Sequence, residues 1–412
     1  MHRIIKVLFY NSLIFFILLI IAELALGRWL SFGVATWDYP CRDTEVHHTY
    51  CPSIVYHRKM EDEDGGHTIV HYINKSSIPV SSKDDMDMIT DSSVYNIINL
   101  GDSFFQADEI SFTETLSYHM EKELGEPVLQ VGFSSWSPIN MLGWLDKRPL
   151  KKGVKVNIFA FINDFSFQSK LSNLRYWDYV DKERYKQTGK IYFNVDTSKN
   201  VPRDWYSTAM RASFFYRYYL DFKSYLRGKN KIDPRKKVLA EKISRTRKFS
   251  DVLSGISSDC SIMDKYKQMS EEFKTYIEFS LNHSCWRPDT IKAVRNTLDE
   301  IERIRKYVEK SQGNVTFFLV PPGWVYEGEN LFGKTFWPWH MNADSLITFS
   351  GLAGFLESES PVPFIDLEPV IRRLKTNDPE KWYFPHDGHW NAHAHKILSG
   401  FLSEIMEKTG NR

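Results

Sequence analysis

An excess of charge of either sign is what this chain most plainly lacks. Its 412 residues carry 53 Lys and Arg against 52 Asp and Glu, a formal net charge of +1. Nucleic-acid binders work through clustered Lys and Arg, and this balance gives no argument for nucleic acid as a partner. The run DPRKKVLAEKISRTRK (233–248) mixes both signs and reads as a solvated helix face. Cysteine is scarce too. There are four, Cys41, Cys51, Cys260 and Cys285, and no C-x-x-C spacing, so a zinc site built from cysteines is set aside. No internal repeat is evident and no cofactor is implied. Hydrophobic residues make up 42% of the chain, enough for a sizeable core in one large or two ordinary domains.

The N-terminus is the clearest signal of what is present. A short basic stretch, MHRIIK (1–6), precedes the apolar run VLFYNSLIFFILLIIA (7–22), and apolar character resumes after Glu23 as far as Leu26. About 20 such residues span a bilayer as a helix. Residues 7–27 are therefore expected to be a transmembrane helix. The basic end stays in the cytoplasm as a six-residue tail, Trp29 lies at the far interface, and the rest of the chain is extracytoplasmic. A cleaved signal peptide ending near Ala25-Leu26-Gly27 is the competing reading, although the apolar run is long for one. An oxidising compartment permits disulfides, and the simplest of three connectivities pairs Cys41 with Cys51 and Cys260 with Cys285. Sequons at Asn74, Asn282 and Asn314 matter only in a eukaryotic secretory pathway.

Residues 28–93 are polar and turn-rich, and read as a juxtamembrane segment with a few short strands. From 94 the texture changes. Strand-length apolar runs follow in order: VYNIINL (94–100), VLQVG (128–132), VNIFAF (156–161), VTFFLV (315–320) and VPFIDL (362–367). Amphipathic helical patterns separate them, with Leu116, Met120 and Leu124 on one stripe, Ile291 through Val308 on another, and a third in HKILSGFLSEIMEK. Continuous apolar strands alternating with such helices indicate an α/β fold, a parallel sheet covered on both faces. Residues 170–290 break the rhythm and read as a helical insertion, a lid or a partner surface, between core halves at 94–169 and 291–412.

Ligands of a doubly wound sheet sit beyond the carboxyl ends of its strands. Ser103 lies just past such an end in INLGDSFFQADE (97–108). Gly-Asp-Ser alone is weak, because all three residues form turns. Other residues at matching positions strengthen it. Gly132 closes the second strand and Asn163 follows the third, and both could donate hydrogen bonds to a developing oxyanion. The stretch YFPHDGHWNAHAHKILSG supplies His389 as candidate base and Asp387 as its orienter.

Taken together, GDS after the first strand, Gly after the second, Asn-Asp after the third and Asp-x-His before the last helix resemble the SGNH (GDSL-type) hydrolase superfamily. The resemblance covers about 94–169 and 291–409. It implies a three-layer flavodoxin-like parallel sheet, with Ser103 as nucleophile and oxyanion donor, Gly132 and Asn163 completing the oxyanion hole, His389 as general base and Asp387 as its partner. Asp102, His386 and Trp390 are weaker candidates for substrate contact. Three departures stand out. Asp387 precedes the histidine by two residues where many members have three; Phe161 replaces a glycine; and FFQA (104–107) replaces Phe-x-x-Gly, so the local turn is expected to differ. D-x-H-W resembles the branch that handles O-acetyl groups on bacterial polysaccharides. An anchored SGNH domain further resembles envelope proteins working beside a membrane-bound O-acyltransferase, here an expected partner together with acylated or acceptor polysaccharide. That places the chain in the inner membrane with a periplasmic domain.

Two other classes compete. His386, Asp387, His389, His393 and His395 crowd ten residues, as a metal-dependent hydrolase would require, but H-E-x-x-H is absent. His393 and His395 read instead as surface residues at a helix start. A non-catalytic glycan-binding or assembly subunit is the other class. FWPWH (336–340) and RYWDY (175–179) could stack on sugars in that role, although ordinary packing explains such aromatics more simply.

Overall fold

The computed structural model describes residues 10–11, 14–15, 17–18, 40–60, 67–166, 172–197, 260–265, 271–321, 323, 349–376, 378–384 and 388–410. Three sheets are present among them. Strands β1 (Pro40–Asp43) and β2 (His47–Tyr50) form an antiparallel hairpin closed by the Cys41–Cys51 disulfide. Strands β3 (Val55–Lys59), β4 (Thr68–Ile73) and β5 (Pro79–Val80) form a second antiparallel sheet. The central sheet holds β6 (Ile97–Gly101), β7 (Val128–Gly132), β8 (Lys155–Phe161), β9 (Asn314–Val320) and β10 (Phe364–Asp366), all parallel, in the order β10-β9-β8-β6-β7.

In chain order this is 2-1-3-4-5, the flavodoxin-like doubly wound arrangement. The switch in direction after β7 has a geometric consequence. Right-handed crossovers running opposite ways put their helices on opposite faces. Thus α1 (Ser103–Gln106) and α2 (Leu116–Leu124), between β6 and β7, lie on one side, and α3 (Pro138–Leu145), between β7 and β8, on the other. The long α5 (Pro288–Glu309) packs beside α3, and the final α8 (Ala392–Gly410) packs beside α2, which completes three layers. The latter pair is stapled by Glu123, whose carboxylate accepts from Ser399 Oγ at 3.1 Å and from Ser403 Oγ at 2.7 Å.

Every residue of β6 and β7 is buried, as expected of strands covered on both faces. Two buried amides of the central sheet are paired. Asn157 on β8 donates to its register partner Asn99 on β6 at 2.7 Å, and Asn99 donates to Ser117 of α2 at 3.0 Å. Such pairing removes the penalty of burying an amide alone.

Two sequence-based expectations change here. Residues 40–60 and 67–93 are more than a connector, because the two small sheets hydrogen-bond into the α/β body. Asn140 of α3 donates to Val46 O (2.9 Å) and Trp136 Nε1 to His48 O (2.7 Å). The described C-terminal part of the insertion belongs to the core. Helix α4 (Glu271–Ser280) packs on α6 (Ser350–Glu359), and Ile277, Phe279 and Leu281 are fully buried. Cys260 and Cys285 are joined there. Residues 198–259 lie outside the described residues, as do most of 7–27; among the described residues no helix is long and apolar enough to cross a membrane.

Gly101 ends β6 where the chain must turn straight into α1. A Cβ there would stand 2.3 Å from Phe105 Cβ, inside the fully buried core. Gly101→Ala is expected to lower unfolding free energy by about 1–3 kcal/mol through overpacking, read from chemical denaturation midpoints.

Candidate active site

The turn after β6 is built by its own residues. Asp102 caps α1, its Oδ1 accepting from Phe104 N at 3.0 Å, and the cap sets Ser103 at the first helical position with its side chain partly buried. The helix is a single turn. It ends at Ala107, which takes the left-handed conformation (φ 56°, ψ 48°). That is the position at which Phe-x-x-Gly would place glycine. The turn is retained, and alanine bears the left-handed strain of about 1 kcal/mol.

His389 arrives from the far end of the chain on a tight loop. Tyr383 and Trp390 pair antiparallel, Phe384 N donates to His389 O (2.9 Å), and Gly388 at φ 72° turns the chain between them. Asn391 then starts the last helix, its Oδ1 accepting from Ala394 N at 3.0 Å. The outcome is a contact across 286 positions: His389 Nε2 lies 2.9 Å from Ser103 Oγ. Phe104 meets the imidazole edge-on at 4.8 Å, fixing its plane. His386 and Asp387 lie outside the described residues.

Gly132 ends β7 in register with Gly101, so its backbone reaches the same rim as Ser103. The loop after it is held from several sides. Ser134 N donates to Gln106 Oε1 (2.7 Å), His48 Nε2 bonds Ser134 O (2.8 Å) and Tyr176 OH donates to Ser135 O (2.7 Å). Asn163 sits in a short 3-10 turn after β8, partly buried. Tyr276 of α4 donates to Asn163 Oδ1 at 3.1 Å. With its carbonyl oxygen accepting from Tyr276, the amide keeps its NH2 group as the remaining donor.

Several residues at this rim differ from their sequence-based reading. Trp390 is 1% exposed and packs on Phe104 and His395, so it supports the histidine loop and does not face a substrate. Asp102 is buried and spent on the helix cap, which likewise argues against substrate contact. His395 is not a surface residue. It is 1% exposed, its Nδ1 accepts from Leu116 N at 3.1 Å, and burial depresses its pKa to about 3, so the ring is neutral. His393 turns away from His389 to Asp378 (2.6 Å) and Glu380 (3.3 Å). No group of three metal-ligating side chains occurs among the described residues. Tyr176 of RYWDY is buried against His47 and Phe193, and FWPWH lies outside the described residues.

Electrostatically the rim is a place of suppressed charge. Burial raises Asp102 to about 6, against the pull of His389 and of the Phe104 N–H. Burial also raises Asp164 well above the carboxylate range, and Asp102 adds to this. Asp164 accepts from Ser137 Oγ at 2.6 Å and from Phe161 N at 3.1 Å. Two residues contribute to the site without any motif to announce them: Tyr276, and Glu109, whose Oε1 lies 3.6 Å from His389 Nδ1.

No family model and no curated protein matches the sequence. Two solved structures align over nearly their whole length. One, from Desulfitobacterium hafniense, is described as lipolytic and of the G-D-S-L family. It is 9% identical with TM-score 0.30, and 75% of this chain and 98% of that one are covered. The other is 12% identical with TM-score 0.29, covering 77% and 99%. Likeness at this level carries no argument, and the fold assignment rests on strand order and crossover direction.

His48 offers a test of the loop that carries Gly132. Burial, chiefly, lowers its pKa from 6.5 to about 4. A depressed histidine pKa means the unfolded chain binds the proton first. The stability it confers is complete above pH 6.5 and is lost as pH falls towards 4. His48→Gln removes that dependence. The wild-type advantage in unfolding free energy should shrink by about 2–3 kcal/mol between pH 7 and pH 4, measured by urea titration at each pH.

Proposed function

We propose that this chain is an SGNH-type serine acyl hydrolase or O-acyltransferase that works through a seryl ester. The observation that supports this most directly is the 2.9 Å approach of His389 Nε2 to Ser103 Oγ at the carboxyl-end rim of the parallel sheet. A serine needs an adjacent base to be nucleophilic, and that rim is where open α/β sheets bind ligands.

In this reading Ser103 Oγ attacks the ester carbonyl while His389 Nε2 takes the hydroxyl proton. Negative charge grows on the carbonyl oxygen. The N–H groups of Ser103 and Gly132 and the Asn163 amide, steadied by Tyr276, are the proposed donors to it. Collapse breaks the ester C–O bond. The departing alkoxide takes the proton from His389, and an acyl group remains on Ser103. Water or a sugar hydroxyl then gives up a proton to His389 and attacks the acyl carbon; the bond to Ser103 Oγ breaks, Oγ takes that proton back from His389, and acid or a new ester is released. Asp387 is assigned as orienter of the imidazole on the strength of the Asp-x-His-Trp pattern.

The finer reading is an envelope or exported polysaccharide as substrate or acceptor, with the chain held in the inner membrane by residues 7–27 and a membrane-bound O-acyltransferase as partner. Its support is the sequence pattern, together with the helical, exposed Tyr10, Ile14, Phe15, Ile17 and Leu18.

A fluorophosphonate probe should label the wild type and leave Ser103→Ala unlabelled, with the fold of the variant intact by circular dichroism. A folded wild type that takes no label counts against catalysis and for a binding role. Incubation with acetylated or unacetylated envelope glycan plus an acetyl donor, followed by mass spectrometry, separates esterase from transferase.

Tyr276→Phe removes only a hydroxyl. It should lower kcat on a chromogenic acetyl ester by about tenfold with KM little changed. Full loss of an oxyanion donor costs about a hundredfold or more, and here the donor stays but its orientation loosens. An equal rise in KM would show that the hydroxyl serves binding instead.

A further inference from the structure

The carboxylate of Glu109 is buried at the rim, its side chain 4% exposed, and Oε1 faces two basic groups: Arg58 Nη2 at 3.1 Å and His389 Nδ1 at 3.6 Å. The second distance is too long for a good hydrogen bond but close for a charge interaction. A buried carboxylate remains charged only beside a counter-charge, and Arg58 on β3 supplies one, with its side chain 24% exposed. The preceding residue fixes the loop. Asp108 accepts from Tyr50 OH at 3.0 Å and from Tyr56 OH, and its carbonyl bonds His71 Nε2 at 2.8 Å. Strands β2, β3 and β4 therefore each grip the segment that presents Glu109.

We propose that Glu109, clamped by Arg58, is a positioning residue that faces the Nδ1 side of His389 and stabilises its imidazolium form. The small antiparallel sheet thereby tunes the base of the α/β body. The proposal rests on the reading of His389 as general base. Among the described residues, Asp102 from the turn after β6 and His395 from α8, held neutral by burial, also interact with the ring, and Asp164 interacts with Asp102. Asp387 is the sequence-based partner of the same ring, and Asp387→Asn, measured in parallel, separates its contribution from that of Glu109.

The test is an NMR pH titration of the His389 ring in the full chain carrying isotope-labelled histidine, with the signal assigned from His389→Gln. Wild type, Glu109→Gln and Arg58→Gln are compared, beside the pH profile of kcat/KM on an acetyl ester. In Glu109→Gln the midpoint should fall by about one pH unit, as loss of a nearby opposite charge requires, and the acid limb of kcat/KM should move with it. In Arg58→Gln the midpoint should rise, because the imidazolium becomes the remaining partner of the carboxylate. An unchanged midpoint in folded Glu109→Gln overturns the proposal, whether or not the protein is active. A shifted midpoint in a chain that hydrolyses no ester sustains the charge coupling and sinks the hydrolase reading instead. Should Glu109→Gln fail to fold, Arg58→Gln decides, and a midpoint that stays or falls overturns the proposal.

Discussion

The absence of a single carbon at Gly101 sets the geometry of the rim. The chain leaves β6 and enters α1 with no intervening loop, and the benzyl group of Phe105 fills the space a Cβ at position 101 would occupy. Gly132, beside it in the parallel register, is also tight: a Cβ there would lie 3.0 Å from Gly101 O. Two strands thus end together without side chains between them. Ser103 is carried from a fully buried strand to a half-open edge within two residues. The cap by Asp102, the edge-on contact of Phe104 with His389 and the left-handed stop at Ala107 all follow from that compressed turn.

A turn this short cannot hold a base that arrives from nearly three hundred residues away, so the surrounding structure must. The histidine loop is closed on itself by its own backbone bonds and by Gly388, and buried Trp390 and His395 wedge it against α2. The opposite wall is made by the first two sheets, which reach the rim through His48, Tyr50, Tyr56, Arg58 and His71. The third wall is α4, through Tyr276. The α/β body provides the rim, and segments that precede it or are inserted within it in sequence provide its enclosure.

This division explains what could be read from sequence. The five central strands were legible because strands buried on both faces are continuous apolar runs, and a run such as VTFFLV has few other uses. The helices α2, α5 and α8 were legible from their stripes. Ser103, Gly132 and Asn163 could be proposed because strand ends locate them, and His389 because Asp-x-His stands just before the last helix. Arg58 and Glu109 could not, since each sits beside another charge (Lys59, Asp108) with no motif to single it out, and their meeting depends on non-local packing. Tyr276 is one of many tyrosines in a segment without strand rhythm. His395 reads as a surface residue because its neighbourhood, NAHAHK, has the polarity of a surface helix. Its burial comes from α2, almost three hundred residues earlier, whose first N–H it caps.

The suppressed charge at the rim bears on the proposed chemistry. Asp102 and Asp164 are both buried; burial raises the pKa of each, and Asp102 raises that of Asp164 further. A positive charge on His389 works the other way on Asp102, favouring its carboxylate. When the imidazole takes up the serine proton, the carboxylate beneath it therefore becomes easier to ionise, and the pair moves towards opposite charges at the moment cation and oxyanion form nearby. In a dry rim such compensation matters more than it would in water, because charge interactions there are less screened. Glu109 stands outside this exchange. Arg58 holds it ionised across a direct ion pair, so it acts on His389 as a fixed charge while Asp102 responds to the proton.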